Sequence, residues 1–470
     1  MLGAILGLWS LRRVEVALVG LVAVLTLLPF GVVPVRLGAA PTLLDLATAA
    51  VFVLWLRRAA AGRAPALVTR TGAALAVYAG VLVAAYVFSS EALRPDETAR
   101  TFGKLVAAHL LFVPLLNLLD TRRRVRLVAG SLLALAALES AIGLALYVAP
   151  RGVAQRALDS LGSLGYPTGG SVLRYLPDTD RLRAVGTAVD PNMLGALLMV
   201  AAAVAVLQVL APRPAFPRPL VALALAPVGA CLLLTYSRSS WLGLAGGVLL
   251  VGGLRYRRLW VACAVAGLLA LAVPQAAPFT GHLGSGLRAE DRAAAMRLGE
   301  LENARRIIAA HPWFGVGWGQ GGQSIELEFT LGVSNVFLTV AERAGLVALV
   351  AYLAALAALA RHLWPALSLR SAPILALSSN PTSGGPPQRA IRGPAPAGDP
   401  RSLDDGLLLG SAAALVAALV AGMLDHHFVR FPHLVSLLWL IAALAVATAQ
   451  QDLPLSAVQG AEGKPHSPLP

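Results

Sequence analysis

Long apolar runs separated by short polar breaks make up most of the chain from Val14 to Ala449. The runs are continuously apolar instead of alternating every second residue, which argues for buried helices and against a β-barrel. A hydrocarbon core of about 30 Å takes roughly 20 residues of helix. Runs of that order fall near 14–34, 39–56, 71–89, 101–119, 127–149, 187–211, 219–236, 240–254, 259–274, 334–358, 406–424 and 432–449. The pattern therefore predicts an all-α polytopic membrane protein of about twelve transmembrane helices. One stretch breaks the pattern: residues 275–333 form a large polar loop between two apolar runs. Within it a short helix is expected over Glu290–Ala310, with Leu298, Leu301, Ala304 and Ile308 on one stripe and Arg297, Glu300 and Arg305 off it. Pro312 ends that helix.

These breaks divide the chain into helices one to nine (1–274), the large loop (275–333) and helices ten to twelve (334–449), with a tail over 450–470 expected to be disordered. Residues 371–401, rich in Pro, Gly and Ser, read as a flexible linker. No repeat of 20–50 residues is visible. The first apolar run has no cleavage site after it, so it reads as a span and not a signal peptide.

Composition supports the membrane class. The 470 residues are 57% hydrophobic and 13% charged, against about 25% charged in soluble domains. The net charge of +14 would point to nucleic acid in a soluble protein; here topology explains it. With the N-terminus inside, the arginines of 57–70, 122–126, 255–258 and 361–401 lie on the cytoplasmic side, as the positive-inside rule requires. Both termini are then cytoplasmic, in a multi-pass protein of the cytoplasmic membrane. The long loops 150–186 and 275–333 lie outside, and their arginines need another explanation. Cys231 and Cys263 sit in expected spans and indicate neither a disulfide nor a metal site.

Several polar groups could supply chemistry. Arg238, in TYSRSSWLGLAGG, falls in a tight hairpin at the outer surface. It is either a snorkelling arginine or an anion ligand, since guanidinium stays charged and can grip phosphate through two hydrogen bonds. Asp190-Pro191-Asn192 has the composition of a turn and helix cap, preceded by Arg181 and Arg183. HPWFGVGWGQGG reads as a compact turn in which glycines let Trp313 and Trp318 pack, the rings also serving as an interfacial belt or a sugar platform. Asp425, His426 and His427 suggest a base or substrate-orienting group; spacing fixes no third and fourth metal ligand. Glu326 and Glu328 are further acids in the loop. Asp45, Lys104 and Glu139 are ionisable groups inside spans, where charge is costly, and are expected to face the bundle interior.

RAVGTAVDPNMLG, LLLTYSRSSWLGL and ARRIIAAHPWFGVGWG, followed by SNVFLTVAERAGLVALVAYL, resemble successive segments of the O-antigen ligase and Wzy-type polymerase family. The resemblance covers about residues 180–360. It implies an inverting, metal-independent glycosyltransferase of the cell envelope. A glycan would pass from undecaprenyl pyrophosphate to an acceptor hydroxyl at the outer face of the cytoplasmic membrane. The acceptor would be lipid A-core in a ligase making lipopolysaccharide, or another lipid-linked glycan in a polymerase. The lipid-linked donor is a substrate, and no cofactor, metal or nucleic acid is implied.

The resemblance implies that Arg238 and Arg183 hold the pyrophosphate, with Arg297 joining from the loop. Asp425, His426 and His427 complete the catalytic set, while Arg181, Asn192, Arg297, His311, Trp313, Trp318 and Asn335 are expected to bind substrate. Ser334 stands immediately before Asn335, where ligases of this family carry a histidine. His311, His426 or His427 would then take over that role, or the transfer would proceed without a strong base there. A polymerase is the alternative within the family. A lipid-linked oligosaccharide flippase is the alternative of another class, although the inverted half-chain pattern common in transporters is not evident.

Overall fold

The computed structural model describes residues 13–33, 41–62, 69–89, 96–169, 172–176, 179–256, 259–261, 263, 281, 284, 292–318, 333–371 and 405–452. Among them the fold is all α. The helices are α1 (Val14–Leu27), α2 (Leu43–Ala60), α3 (Arg70–Phe88), α4 (Asp96–Leu110), α5 (Phe112–Leu118), α6 (Arg122–Val148), α7 (Arg151–Asp159) and α8 (Pro191–Leu210). They continue as α9 (Arg218–Leu234), α10 (Arg238–Gly247), α11 (Arg292–Ala310), α12 (Val336–Ser371), α13 (Asp405–Gly422), α14 (His427–Arg430) and α15 (Pro432–Asp452).

The expectation of about twelve transmembrane helices is corrected. Among the described residues six helices are long and apolar enough to cross a membrane: Arg70–Phe88, Ala99–Leu118, Arg122–Val148, Pro191–Leu210, Val336–Ser368 and Pro432–Gln451. Val14–Leu27, Arg218–Leu234 and Gly406–Gly422 are apolar but shorter. Run length overcounted because it ignored what ends a helix. The first run contains Pro29, and the residue before a proline is pushed out of the helical region, so α1 stops after 14 residues. At 1.5 Å per residue that is roughly 21 Å, well short of the core thickness. The second run falls within α2, which carries Asp45, Arg57 and Arg58. In the eighth, α10 lasts 10 residues before a π turn at Val248–Gly252. The ninth run, the linker after Ser371 and the tail after Asp452 lie mostly or wholly outside the described residues. Among the described residues the structure is that of a multi-pass membrane protein with fewer spans than the apolar runs.

Helix α15 is the axis of the bundle, with 94% of its apolar window buried, against 33% for α12. Trp439 of α15 is fully buried, as are Tyr78, Tyr352 and Phe112 on neighbouring helices. Small residues let α10 approach α13: a Cβ on Gly243 would lie 2.7 Å from the Ala417 carbonyl oxygen. Such close backbone approach is a common way to gain packing where lipid removes the hydrophobic drive between helices. The ionisable groups inside the helices are partnered. Lys104 Nζ pairs with Asp45 at 2.9 Å, and Glu139 is wholly buried against the turn before α8.

The loop helix α11 lies with a different face inward from the expected one. Glu300 and Ala304 are buried, while Leu298 and Leu301 are exposed. A polar contact accompanies this: Glu300 Oε2 accepts a hydrogen bond from Ser334 N at 2.9 Å. After α11, residues 312–317 pack into a kink in α12. Gly345 has φ 83 and ψ 173 there, Leu346 N donates to Pro312 O at 2.7 Å, and Val316 N donates to Glu342 O at 3.0 Å. The glycine sequence thus builds a backbone joint, with Trp313 67% exposed outside it. A Cβ on Gly345 would overlap the Trp313 carbonyl, and its φ is unfavourable to other residues. Gly345→Ala is expected to destabilise the protein by about 2–4 kcal/mol, seen as a lower thermal midpoint of the detergent-purified chain; an unchanged midpoint would contradict this account of the kink.

Candidate active site

Two short connections carry the arginines. Residues 174–176 and 179–184 pair through a bridge between Tyr175 and Leu182, with Arg183 N donating to Arg174 O at 2.8 Å. This hairpin caps the end of α9, where the last carbonyls lack helical partners. Ala184 N donates to Leu234 O at 2.8 Å, and Arg183 Nε to Thr235 O at 2.7 Å. A guanidinium at this negative end of a helix is favourably placed. Its Nη2 then donates to Asn192 Oδ1 at 2.6 Å, joining the hairpin to the first turn of α8. Asp190 caps that helix as its sequence predicts, accepting from the amides of Asn192 and Met193 at 2.8 and 3.0 Å.

Arg238 opens α10 immediately after this capped end of α9. Tyr236, two residues earlier, has φ 51. Ser237 Oγ shares a hydrogen bond with Ser240 Oγ at 2.9 Å, and Gly195 of α8 leaves room for both serines. Arg238 and Arg183 therefore come close enough for their charges to interact. Burial is the main influence on the Arg183 pKa, bringing it down to about 10; Asp190 and Asp425 oppose the shift, while Arg238 and Arg174 add to it. The group still carries its charge at neutral pH.

The third side of the site is the turn before α15. His427 Nδ1 meets Asp425 Oδ1 at 2.5 Å, and the same oxygen accepts from His426 N at 2.8 Å. Burial opposes ionisation of Asp425, but His427 first, then His426 and Arg297, outweigh it and bring the carboxyl down to about 2. Burial also works against a charged His427, yet Asp425 and Asp190 raise its pKa above the ordinary histidine value, with Arg297 opposing. His426 goes the other way: burial, more than its neighbours, lowers it to about 4. The two adjacent histidines are thus set apart electrostatically.

Arg183, Asn192, Arg238, Arg297, Asp425 and His427 are thereby gathered in one region, with Asp190 among them. Asn335 is used structurally: its amide donates to Met423 O at 2.9 Å and its carbonyl caps Leu338 N at 3.0 Å. Among the described residues, no contact joins Arg181, His311, Trp313 or Trp318 to the cluster. Arg181 is exposed, and Trp318 packs against the main core. Glu326 and Glu328 lie outside the described residues. Sequence reading missed a second charged group beside the site, in which Glu342 is buried with Arg343, Arg430 and Glu300 around it. The signal was an acid and an arginine inside an apolar run. No group of three or more His, Cys, Asp or Glu among the described residues could hold a metal ion.

Arginines beside a buried Asp–His pair can hold an anion next to a group able to take a proton. Residues 220–353 match the family model described as O-antigen ligase. The resemblance seen in the sequence is thus shown over that stretch, which includes Arg238, Arg297 and Ser334. Arg183, Asp425 and His427 lie outside it. No curated protein matches the chain.

Proposed function

We propose that this protein is a membrane glycosyltransferase that moves a glycan from undecaprenyl pyrophosphate to an acceptor hydroxyl at the outer face of the cytoplasmic membrane. The observation carrying this reading is the gathering of Arg183 and Arg297 around Asp425 and His427, with Arg238 next to Arg183, beside and within the stretch matched to the O-antigen ligase family. The acceptor oxygen attacks the anomeric carbon from the face opposite the pyrophosphate. The carbon–oxygen bond to pyrophosphate breaks, and the leaving group departs with the electron pair and inverts the centre. Arg183 and Arg238 stabilise the charge that grows on it, as fixed donors do in a site that excludes water.

His427 receives the acceptor proton. Its Nδ1 is directed at Asp425, which fixes the ring and leaves Nε2 to act as base. This assigns to His427 the role for which Ser334 is unsuited. Arg297 approaches the same pair from α11, so the loop closes the site from outside. The arrangement needs no metal.

Ligase and polymerase share this chemistry and differ in acceptor. A strain lacking the protein is expected to accumulate lipid-linked polymer if the protein is a ligase, and to retain single repeat units if it is a polymerase. Unaltered glycan length and attachment would refute both. Were the protein a flippase, its loss would instead leave undecaprenyl-linked units on the cytoplasmic side, where an outer-face glycan label does not reach them.

A further inference from the structure

Glu139 takes no part in that chemistry, yet it is a fully buried carboxyl inside the long apolar helix α6. Its oxygens serve one turn. Oε1 accepts from Thr187 N at 2.7 Å and Oε2 from Thr187 Oγ1 at 2.9 Å, and the Ala188 amide also hydrogen-bonds the carboxyl. The turn is left-handed at both ends: Gly186 has φ 53, which glycine adopts without strain, and Val189 has φ 58. A β-branched residue at positive φ is an outlier that persists only when its surroundings over-determine it. A Cβ on Gly186 would overlap Glu139 Oε1, so the close approach requires glycine.

The position of this turn matters. It lies inside the loop that the Arg183–Asn192 bond closes. One end of the loop is tied to α9 through Ala184 N and Leu234 O, and the other is the Asp190 cap of α8. Glu139 reaches into it from a third helix. Buried polar groups without partners are costly, so the Thr187 and Ala188 amides hold the turn onto Glu139 of α6, while α1 and α8 also pack against it.

We propose that Glu139 is a positioning residue: from within the membrane bundle it holds the strained 186–189 turn, and through that turn keeps Arg183 and Asn192 aligned for the lipid pyrophosphate. The inference rests on the reading of Arg183 as a pyrophosphate ligand. Misplacement of a ligand by about 1 Å can cost two orders of magnitude in rate.

The test uses the purified full-length protein in phospholipid vesicles, with undecaprenyl pyrophosphate as the binding probe and amide hydrogen exchange as a structural readout. Glu139→Ala is expected to weaken binding at least about tenfold and to accelerate exchange over residues 184–192 while the helices keep wild-type protection. Glu139→Gln retains an oxygen for the Thr187 amide and an N–H for its hydroxyl, so it is expected to bind within about threefold of wild type. Arg183→Ala separates the two ideas. If Arg183→Ala loses binding and Glu139→Ala does not, the positioning role is overturned and the reading of Arg183 stands. If Arg183→Ala binds like wild type, the reading of Arg183 itself falls. Should Glu139→Ala fail to fold, Gly186→Ala disturbs the same contact from the loop side, and wild-type binding by that variant would overturn the proposal.

Discussion

Replacing Arg183 by alanine is expected to lower glycan transfer by about 100- to 1,000-fold, the usual cost of removing a fixed donor from a developing negative charge. The protein should still reach the membrane in normal amount, because the hairpin keeps its backbone bonds to Arg174 and Leu234. Arg183→Lys is expected to recover little. Nε and Nη2 of Arg183 donate in two directions at once, to Thr235 O and Asn192 Oδ1, and a single ammonium cannot reproduce that planar fork. Arg238→Ala should be comparably defective. The measurement is transfer in vesicles from a defined lipid-linked donor, alongside the amount of protein in the membrane. Wild-type transfer by both alanine variants would remove the basis for the site.

The second large effect concerns His427 and carries a sign. As a base it works when neutral, so activity should rise with pH through a pKa lying above the ordinary histidine value, where burial is outweighed by Asp425. His427→Ala is expected to cost about 100- to 10,000-fold, the typical range for general-base catalysis. Asp425→Asn removes the charge that holds His427 up, so the acidic limb of the rate profile should move to lower pH while the maximal rate falls. A profile that instead declines at high pH would mean that His427 acts as a cation on the leaving group. No dependence on His427 at all would leave its contact with Asp425 purely structural. His426, lowered to about 4 chiefly by burial, is neutral throughout this range and should contribute no limb.

Parts of this arrangement are legible in the sequence, and the reasons for the others are physical. Apolar runs located the helices, and Asp190-Pro191-Asn192 announced the start of α8 because capping is local. The number of spans was not legible by run length alone, since Pro29 and the π turn after α10 end helices within apolar runs, and the charges of α2 sit near its two ends. Arg183 and Arg238 stood out through the family resemblance. Arg297 was anticipated through the same resemblance, but the inward face of α11 was not visible, because its apolar stripe pointed elsewhere while Glu300 turns in to the Ser334 amide.

The joint at Gly345 bears on how such a protein can diverge. The bonds that seat residues 312–317 in the kinked helix run between main-chain groups and are indifferent to side-chain identity. Trp313 therefore rides on a mount that does not depend on it. The outward surface of the loop can be rewritten while its attachment is inherited unchanged, provided Gly345 beneath it and Gly315 within it, where a Cβ would collide with the α12 backbone, are kept.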